Sequence, residues 1–368
     1  MAEQIKNSTT YFGYPEVPEN NDLSILGISS LAKLHLNNAG DPWVHGNAKM
    51  HTKAFEQEAL DFVAHLYGIQ DDYWGYITSG GTEGNLYGMY TGRDYLVNQN
   101  LKPVFLFSDS SHYSIPKNAH LLGIRAIPLK AQSTGEMDYT QLESTLQQLD
   151  ETEGVILNIN LGTTMTGAMD SLKAINDCID TLQFPREKLF LHIDAALMGF
   201  IYPFLETAEP LFKNGAHSIA MSGHKFPGAI HPCGIVLTKK DKHDAAFGDN
   251  WIPYVGSKDT TISGSRNGFL ALNLWYIFQK KGLQGFKKEG MECIENAQYL
   301  TQKLKDMGYP DVFQFPNQII VTFKKPIPEL VRKYQLATQG DMAHVVVMQH
   351  ITPSRIDGFC ADLERSGF

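Results

Sequence analysis

An α/β fold, with a mainly parallel sheet covered on both faces by helices and a smaller α+β domain after it, is predicted by three observations. Short apolar runs alternate with helical patterns through the middle of the chain, as they do when a helix returns each strand to the same edge. Beyond Gly268 the alternation stops, and one long helical stretch leads into two isolated strand-like runs. A chain of 368 residues also exceeds what one hydrophobic core usually organises, so a large domain and a smaller one are expected.

Residues 1–50 are rich in Asn, Gly and Pro and show little periodicity, but their aromatic residues suit an arm that packs on something. Segment 51–67 carries Phe55, Ala59, Phe62, Val63 and Leu66 at helical spacing, with Gly68 as a stop. A strand-like 74–77 follows, then a Gly-rich turn and a helix over 83–95. Further strands are expected at 103–107, 125–128, 154–158, 188–193 and 218–222, with helices at 139–148 and 172–182. A linking helix over 269–307 precedes strands at 319–323 and 344–348. The expected divisions are an arm (1–50), a large domain (51–268) and a small C-terminal domain (269–368).

Hydrophobic residues make up 43% of the chain and charged residues 19%, an ordinary globular balance. The net charge of −9 argues against nucleic acid as a partner, since phosphate binding needs a basic face. No apolar run approaches a membrane span, and residues 1–10 lack the pattern of a secretory signal, so a cytoplasmic protein is expected. Cys178, Cys233, Cys293 and Cys360 are widely separated and read as free thiols. The 13 histidines show neither HExxH nor HxH spacing, and no metal is expected.

The chemistry lies at expected strand ends. Asp194 closes the apolar run Leu191-His192-Ile193, and a buried carboxylate there needs a cationic partner. Lys225 follows in Ser222-Gly223-His224-Lys225. An amine for an aldehyde and a carboxylate for a pyridinium nitrogen are what pyridoxal 5′-phosphate requires. Each residue alone has an ordinary reading, Lys225 as a surface lysine and Asp194 as a helix cap. In Thr78-Ser79-Gly80-Gly81-Thr82-Glu83-Gly84-Asn85, the glycines and the helix start that follows suit a phosphate, although such a turn is commonly only a turn. His112, after the strand ending at Ser108, could lie flat on an aromatic ring or serve a purely structural role. Asn160-Leu161-Gly162-Thr163-Thr164 closes another strand and offers hydroxyls, or simply caps a turn.

At this point the chain resembles the group II pyridoxal-dependent amino-acid decarboxylases, in particular the bacterial histidine decarboxylases and plant serine-decarboxylating enzymes. The resemblance rests on Phe12-Gly13-Tyr14-Pro15, Leu36-Asn37-Asn38, Trp74-Gly75-Tyr76, Gly81-Thr82-Glu83-Gly84-Asn85, His112-Tyr113-Ser114, Gly162-Thr163-Thr164, Asp194-Ala195-Ala196, Ser222-Gly223-His224-Lys225, Pro232-Cys233-Gly234 and Gly264-Ser265-Arg266-Asn267-Gly268. It implies a fold-type I enzyme, similar to aspartate aminotransferase, with a seven-stranded sheet. A homodimer with shared active sites is implied too, the arm packing at its interface. It further implies that Lys225 carries the cofactor, His112 stacks on its ring and Asp194 pairs with its nitrogen. Gly80, Gly81, Thr82, Thr163, Ala196, Ser222, His224 and Ser265 are the further contacts it implies.

Tyr254, in a loop over 251–260, is the candidate proton donor to the substrate's Cα. Glu16, in Gly13-Tyr14-Pro15-Glu16, resembles the acidic form found in bacterial histidine decarboxylases. A carboxylate reaching the neighbouring subunit's pocket would suit an imidazole, so decarboxylation of L-histidine to histamine is expected, with His35 and Asn38 as further substrate contacts. L-serine to ethanolamine is the alternative, since segments 35–43, 50–55, 225–228 and 339–348 look closer to the plant type. Phe269 and Ala229-Ile230-His231 depart from both groups. Another pyridoxal reaction would call for an arginine gripping the substrate carboxylate, with Arg266 the one candidate, and a non-catalytic pyridoxal-fold partner protein would not need Lys225, Asp194 and His112 together.

Overall fold

The computed structural model describes residues 8–18, 28–249 and 251–367. Its large sheet is built mainly from strands buried on both faces, the edge strand Arg125–Leu129 excepted. The strand β5 (Leu189–Asp194) has all six residues buried, so a continuous apolar run, not an alternating one, encodes it. It lies at the centre of a sheet with β1 (Tyr73–Thr78), β2 (Lys102–Ser108), β3 (Arg125–Leu129), β4 (Glu153–Asn160), β6 (Ser218–Ser222) and β7 (Gly234–Lys239). The seven strands run in the order β1-β7-β6-β5-β4-β2-β3, and only β7 is antiparallel to its neighbours. Six of these strands lie where the sequence predicts them, and β7 falls where none is expected.

Helices cover the sheet: α1 (Lys53–Leu66), α2 (Gly81–Val97), α3 (Ser114–Leu121), α4 (Tyr139–Gln147), α5 (Leu172–Thr181) and α6 (Lys240–Ala246). Local chemistry sets several boundaries. The Asp138 side chain accepts from Gln141 N at 3.0 Å and Ser171 Oγ from Ala174 N at 3.1 Å, each satisfying an N–H that the first turn leaves open. The helix α2 carries Gly84, Gly88 and Gly92 four residues apart, hence on one face. A Cβ at these positions would meet Ala220, His192 and Phe190 at 2.9, 2.2 and 2.8 Å respectively. The bare face lets α2 rest directly on β5 and β6, which places its N-terminus at their carboxyl ends.

A long helix α7 (Gly268–Asp306), broken at Gly282, leads to α8 (Pro328–Lys333), α9 (Pro353–Ser366) and an antiparallel sheet. That sheet joins β10 (Phe313–Gln314), β11 (Ile320–Lys324), β13 (Met342–Val346) and β12 (Ala337–Gln339) in this order, while β8 (Trp251–Ile252) pairs with β9 (Ser257–Lys258) in a separate hairpin. Leu270 to Ile294 of α7 belong to the large core, and Ala297, Leu300 and Leu304 to the small one. The two cores therefore exchange within α7, between Ile294 and Ala297.

The arm around Phe12 is part of the small core in its own protomer. Phe12 N donates to Tyr334 O at 3.2 Å, Val346 N donates to Phe12 O at 2.8 Å, and the Phe12 ring packs on Tyr334 and Phe359. Gly13 leaves no alternative side chain, since a Cβ would lie 2.2 Å from Gln335 O.

The four cysteines are free. Among the described residues, no helix is long and apolar enough to cross a membrane and no group of side chains could hold a metal ion.

Candidate active site

A cleft of about 360 Å³ opens where the carboxyl ends of β1, β4, β5 and β6 meet the start of α2. Open parallel sheets place ligands in this position. Asp194 is the last residue of β5, Asn160 the last of β4 and Ser222 the last of β6, so each strand end presents one polar side chain. The turn into α2 is drawn tight by Glu83, whose carboxylate accepts from Ser79 N at 2.9 Å and Ser79 Oγ at 2.6 Å. The carboxylate thereby reaches back past the N-cap Gly80 to the residue that enters the helix. Gly81 has to be glycine, because a Cβ would lie 2.7 Å from Ser222 Oγ and 3.2 Å from the Ala196 methyl. The open N–H groups of the helix start thereby stand beside Ser222, Thr82 and His224, a cradle suited to a phosphate.

Lys225 reaches into the same cleft, and among the described residues its amine has no hydrogen-bond or ion-pair partner. Burial holds the amine below the usual lysine range, against the opposing pull of the Asp194 and Glu16 carboxylates. An amine without a partner, facing a cleft and less firmly protonated than an exposed lysine, is placed to react with an aldehyde. Asp194 is 7% exposed and accepts from Asn85 Nδ2 at 2.9 Å and Ala196 N at 3.1 Å. These bonds leave further lone pairs of its carboxylate for a cationic ring nitrogen.

His112 lines the cleft, and Ser114 N approaches its Nδ1 at 3.3 Å. A backbone N–H can only donate, so Nδ1 accepts and the ring carries its proton on Nε2. Burial lowers the His112 pKa, partly countered by Asp194, which keeps the imidazole neutral and able to lie on an aromatic face. His224 Nδ1 sits 2.8 Å from Cys233 O, and burial likewise lowers its pKa. Thr163 Oγ1 accepts from Ala168 N at 2.9 Å, so its hydroxyl also shapes the loop that presents it. An available amine, an anchored carboxylate, a flat neutral imidazole and an N–H cradle fit pyridoxal 5′-phosphate.

Of the residues singled out in the sequence, the cleft gathers Lys225, Asp194, His112, Gly80, Gly81, Thr82, Thr163, Ala196, Ser222, His224 and Glu16. Glu16 lines the cleft of its own chain, where a place in the neighbouring subunit's pocket was expected, and accepts from the Tyr11 hydroxyl at 3.0 Å. The arm brings it there because Phe12 and Gly13 are tied to the small domain, with His344 Nε2 3.0 Å from Gly13 O.

Four residues lie elsewhere. Ser265 and His35 line a separate cleft of about 540 Å³, and Tyr254 joins Ser265 at another of about 340 Å³. Tyr254 is 86% exposed. Asn38 is buried with its amide spent on Glu56 at 2.8 Å and on Thr52 N at 2.8 Å, so it holds α1 in place and cannot reach a substrate in this protomer. Sequence reasoning assigned no role to Asn85, although it follows Gly81 by four residues and so shares its helix face.

The model of the pyridoxal-dependent decarboxylase conserved domain matches residues 27–325. The chain is 39% identical over 352 residues to "Serine decarboxylase 3" of Oryza sativa subsp. japonica, covering 95% of this chain and 77% of the relative. It is 39% identical over 340 residues to "Histidine decarboxylase" of Solanum lycopersicum, covering 91% and 80%. "Histidine decarboxylase" of Vibrio campbellii is 36% identical over 361 residues, covering 97% and 91%. Among solved structures, L-methionine decarboxylase from Streptomyces sp. 590 superposes with a TM-score of 0.88 at 26% identity, covering 98% of this chain and 92% of that one.

Proposed function

We propose, from the premise that the chain belongs to the pyridoxal-dependent decarboxylases, that its substrate is L-histidine and its products histamine and CO₂. The observation that carries this reading is the Glu16 carboxylate in the cleft that holds Lys225 and His112. An imidazole N–H donates to a carboxylate, and an imidazolium does so with charge. Burial, reinforced by Glu16, holds the Tyr11 phenol protonated, so it donates to Glu16 and fixes the carboxylate's direction.

Pyridoxal 5′-phosphate, when bound, supplies an electrophilic aldehyde and a ring that accepts the electron pair left as CO₂ departs. Lys225 would hold it, Asp194 would pair with its nitrogen, His112 would lie on its face, and the start of α2 with Ser222 and His224 would receive its phosphate. His112 and the cleft walls fix how the substrate lies, which decides which bond to Cα can break. Tyr254 is the donor we assign for the proton that replaces CO₂ at Cα. The exposure of Tyr254 outside this cleft supports a role at the site of a second subunit, in a homodimer with shared sites. His35 and Ser265 lie on clefts that border the same loop segment and would join that interface.

A second reading, L-serine to ethanolamine, is favoured by the rice serine decarboxylase being as similar as the tomato histidine decarboxylase. A screen of the common L-amino acids for CO₂ release by the loaded protein, with product mass, separates the two. Histamine supports the proposal; ethanolamine overturns it. Glu16→Gln should lower kcat/KM for histidine by roughly tenfold or more, the range for a hydrogen bond to a charged group.

A further inference from the structure

Behind Asp194 stands a file of three buried side chains that the reaction as described leaves unused. Asn85 Nδ2 lies 2.9 Å from Asp194 Oδ2, His192 Nε2 lies 3.0 Å from Asn85 Oδ1, and Ser218 Oγ lies 2.7 Å from His192 Nδ1. Asn85 is 2% exposed, and His192 and Ser218 are 0% exposed.

The chemistry of the groups orients every link. A carboxylate only accepts, so Asn85 turns its NH₂ toward Asp194 and its carbonyl toward His192. His192 must then donate from Nε2, and its Nδ1 is left to accept the Ser218 hydroxyl. All three bonds therefore point their donors toward Asp194. Burial pushes the His192 pKa down to about 4, which keeps the ring in the single neutral tautomer this direction requires. Neighbouring strands set the spacing, since His192 of β5 and Ser218 of β6 are register partners.

We propose that Ser218, His192 and Asn85 form a one-way hydrogen-bond relay that keeps Asp194 anionic, and so keeps the proton it shares with the cofactor on the ring nitrogen. Donors aimed at a carboxylate favour its charged form, and in a dry site aligned bonds polarise one another. A ring nitrogen that keeps its proton is the stronger electron acceptor. Asn85 and His192 are on this reading positioning residues, acting only through Asp194.

The ring nitrogen can be observed directly. The protein is loaded with pyridoxal 5′-phosphate labelled with ¹⁵N in the ring, and its ¹⁵N NMR shift is recorded without any amino acid, so the outcome does not depend on the proposed substrate. Wild type should give a pyridinium signal. Asn85→Ala and His192→Leu should move it toward the neutral pyridine, with turnover falling on the order of tenfold to a hundredfold and KM little changed, as for one lost bond to a charged group. His192→Gln, whose amide nitrogen can donate to Asn85, should restore signal and turnover together. A pyridinium signal retained in Asn85→Ala and His192→Leu overturns the relay. Should Asn85→Ala not fold, the histidine pair decides alone: equal shifts in His192→Leu and His192→Gln refute it.

Discussion

One methyl group at Gly88 should damage the large domain more than its size suggests. The added Cβ would lie 2.2, 2.3 and 2.9 Å from Nδ1, Cε1 and Cγ of His192. That ring is fully buried and held on both sides by Asn85 and Ser218, so it cannot swing away without breaking bonds. Overpacking costs about 1–3 kcal/mol. A buried donor or acceptor left without a partner adds about 1–3 kcal/mol. Alanine's better helix propensity returns about 1 kcal/mol. The net loss is roughly 1–5 kcal/mol, a fall of several degrees in melting temperature at about 2 °C per kcal/mol. Gly358, exposed in α9 with no atom within 4 Å of an added Cβ, is the control. Gly358→Ala should gain about 0.5–1 kcal/mol. Thermal melting of both apoproteins by circular dichroism reads the contrast. Gly88→Ala melting at or above wild type, while Gly358→Ala behaves as expected, would refute direct seating of α2 on the sheet.

Tyr254→Phe should leave cofactor binding intact and reduce turnover, and an equal mixture of refolded Tyr254→Phe and Lys225→Ala chains should recover about a quarter of wild-type turnover if the sites are shared across a dimer; no recovery contradicts sharing. Arg266→Leu should cost about 3–5 kcal/mol in the same melting assay, because Glu56, buried and paired with Arg266, would keep an uncompensated charge. The His192 pKa of about 4, against 6.5 for an ordinary imidazole, makes stability pH-dependent. Between those values the unfolded chain binds a proton that the folded chain refuses. Stability is complete above pH 6.5, falls by up to about 3 kcal/mol as pH drops toward 4, and is flat below. His192→Gln should flatten that part of a melting-temperature curve; an unchanged slope would exclude His192 as its source.

The parts of the fold visible in the sequence were those encoded by continuous apolar runs. Strands β4 and β5 are buried on both faces, so Ile156 or Leu191 needs no alternation to announce it. The strand β7 has the same character, Gly234-Ile235-Val236-Leu237, yet no strand was expected there. Helix α9 carries Ile356, Phe359, Cys360 and Leu363 at helical spacing among polar residues and was likewise not identified.

At the site, residues at strand ends were legible, because a parallel sheet brings its carboxyl ends together wherever the strands fall in sequence. Which cleft a residue farther from a strand end borders was not. Tyr254, Ser265 and His35 border other clefts, and Asn38 is consumed by packing, since nothing local in the chain says which cleft a loop will face. Glu16 reached its own protomer's cleft through contacts of Phe12 with Tyr334 and Val346, more than 300 residues away, which no periodicity records.

Borohydride reduction of the protein loaded with pyridoxal 5′-phosphate, followed by peptide mass mapping, tests most directly whether Lys225 is the attachment point. One pyridoxyl group on the peptide carrying Lys225, and none anywhere in Lys225→Ala, is the expected result. A label on a different lysine, or equal labelling of the Lys225→Ala protein, would contradict it.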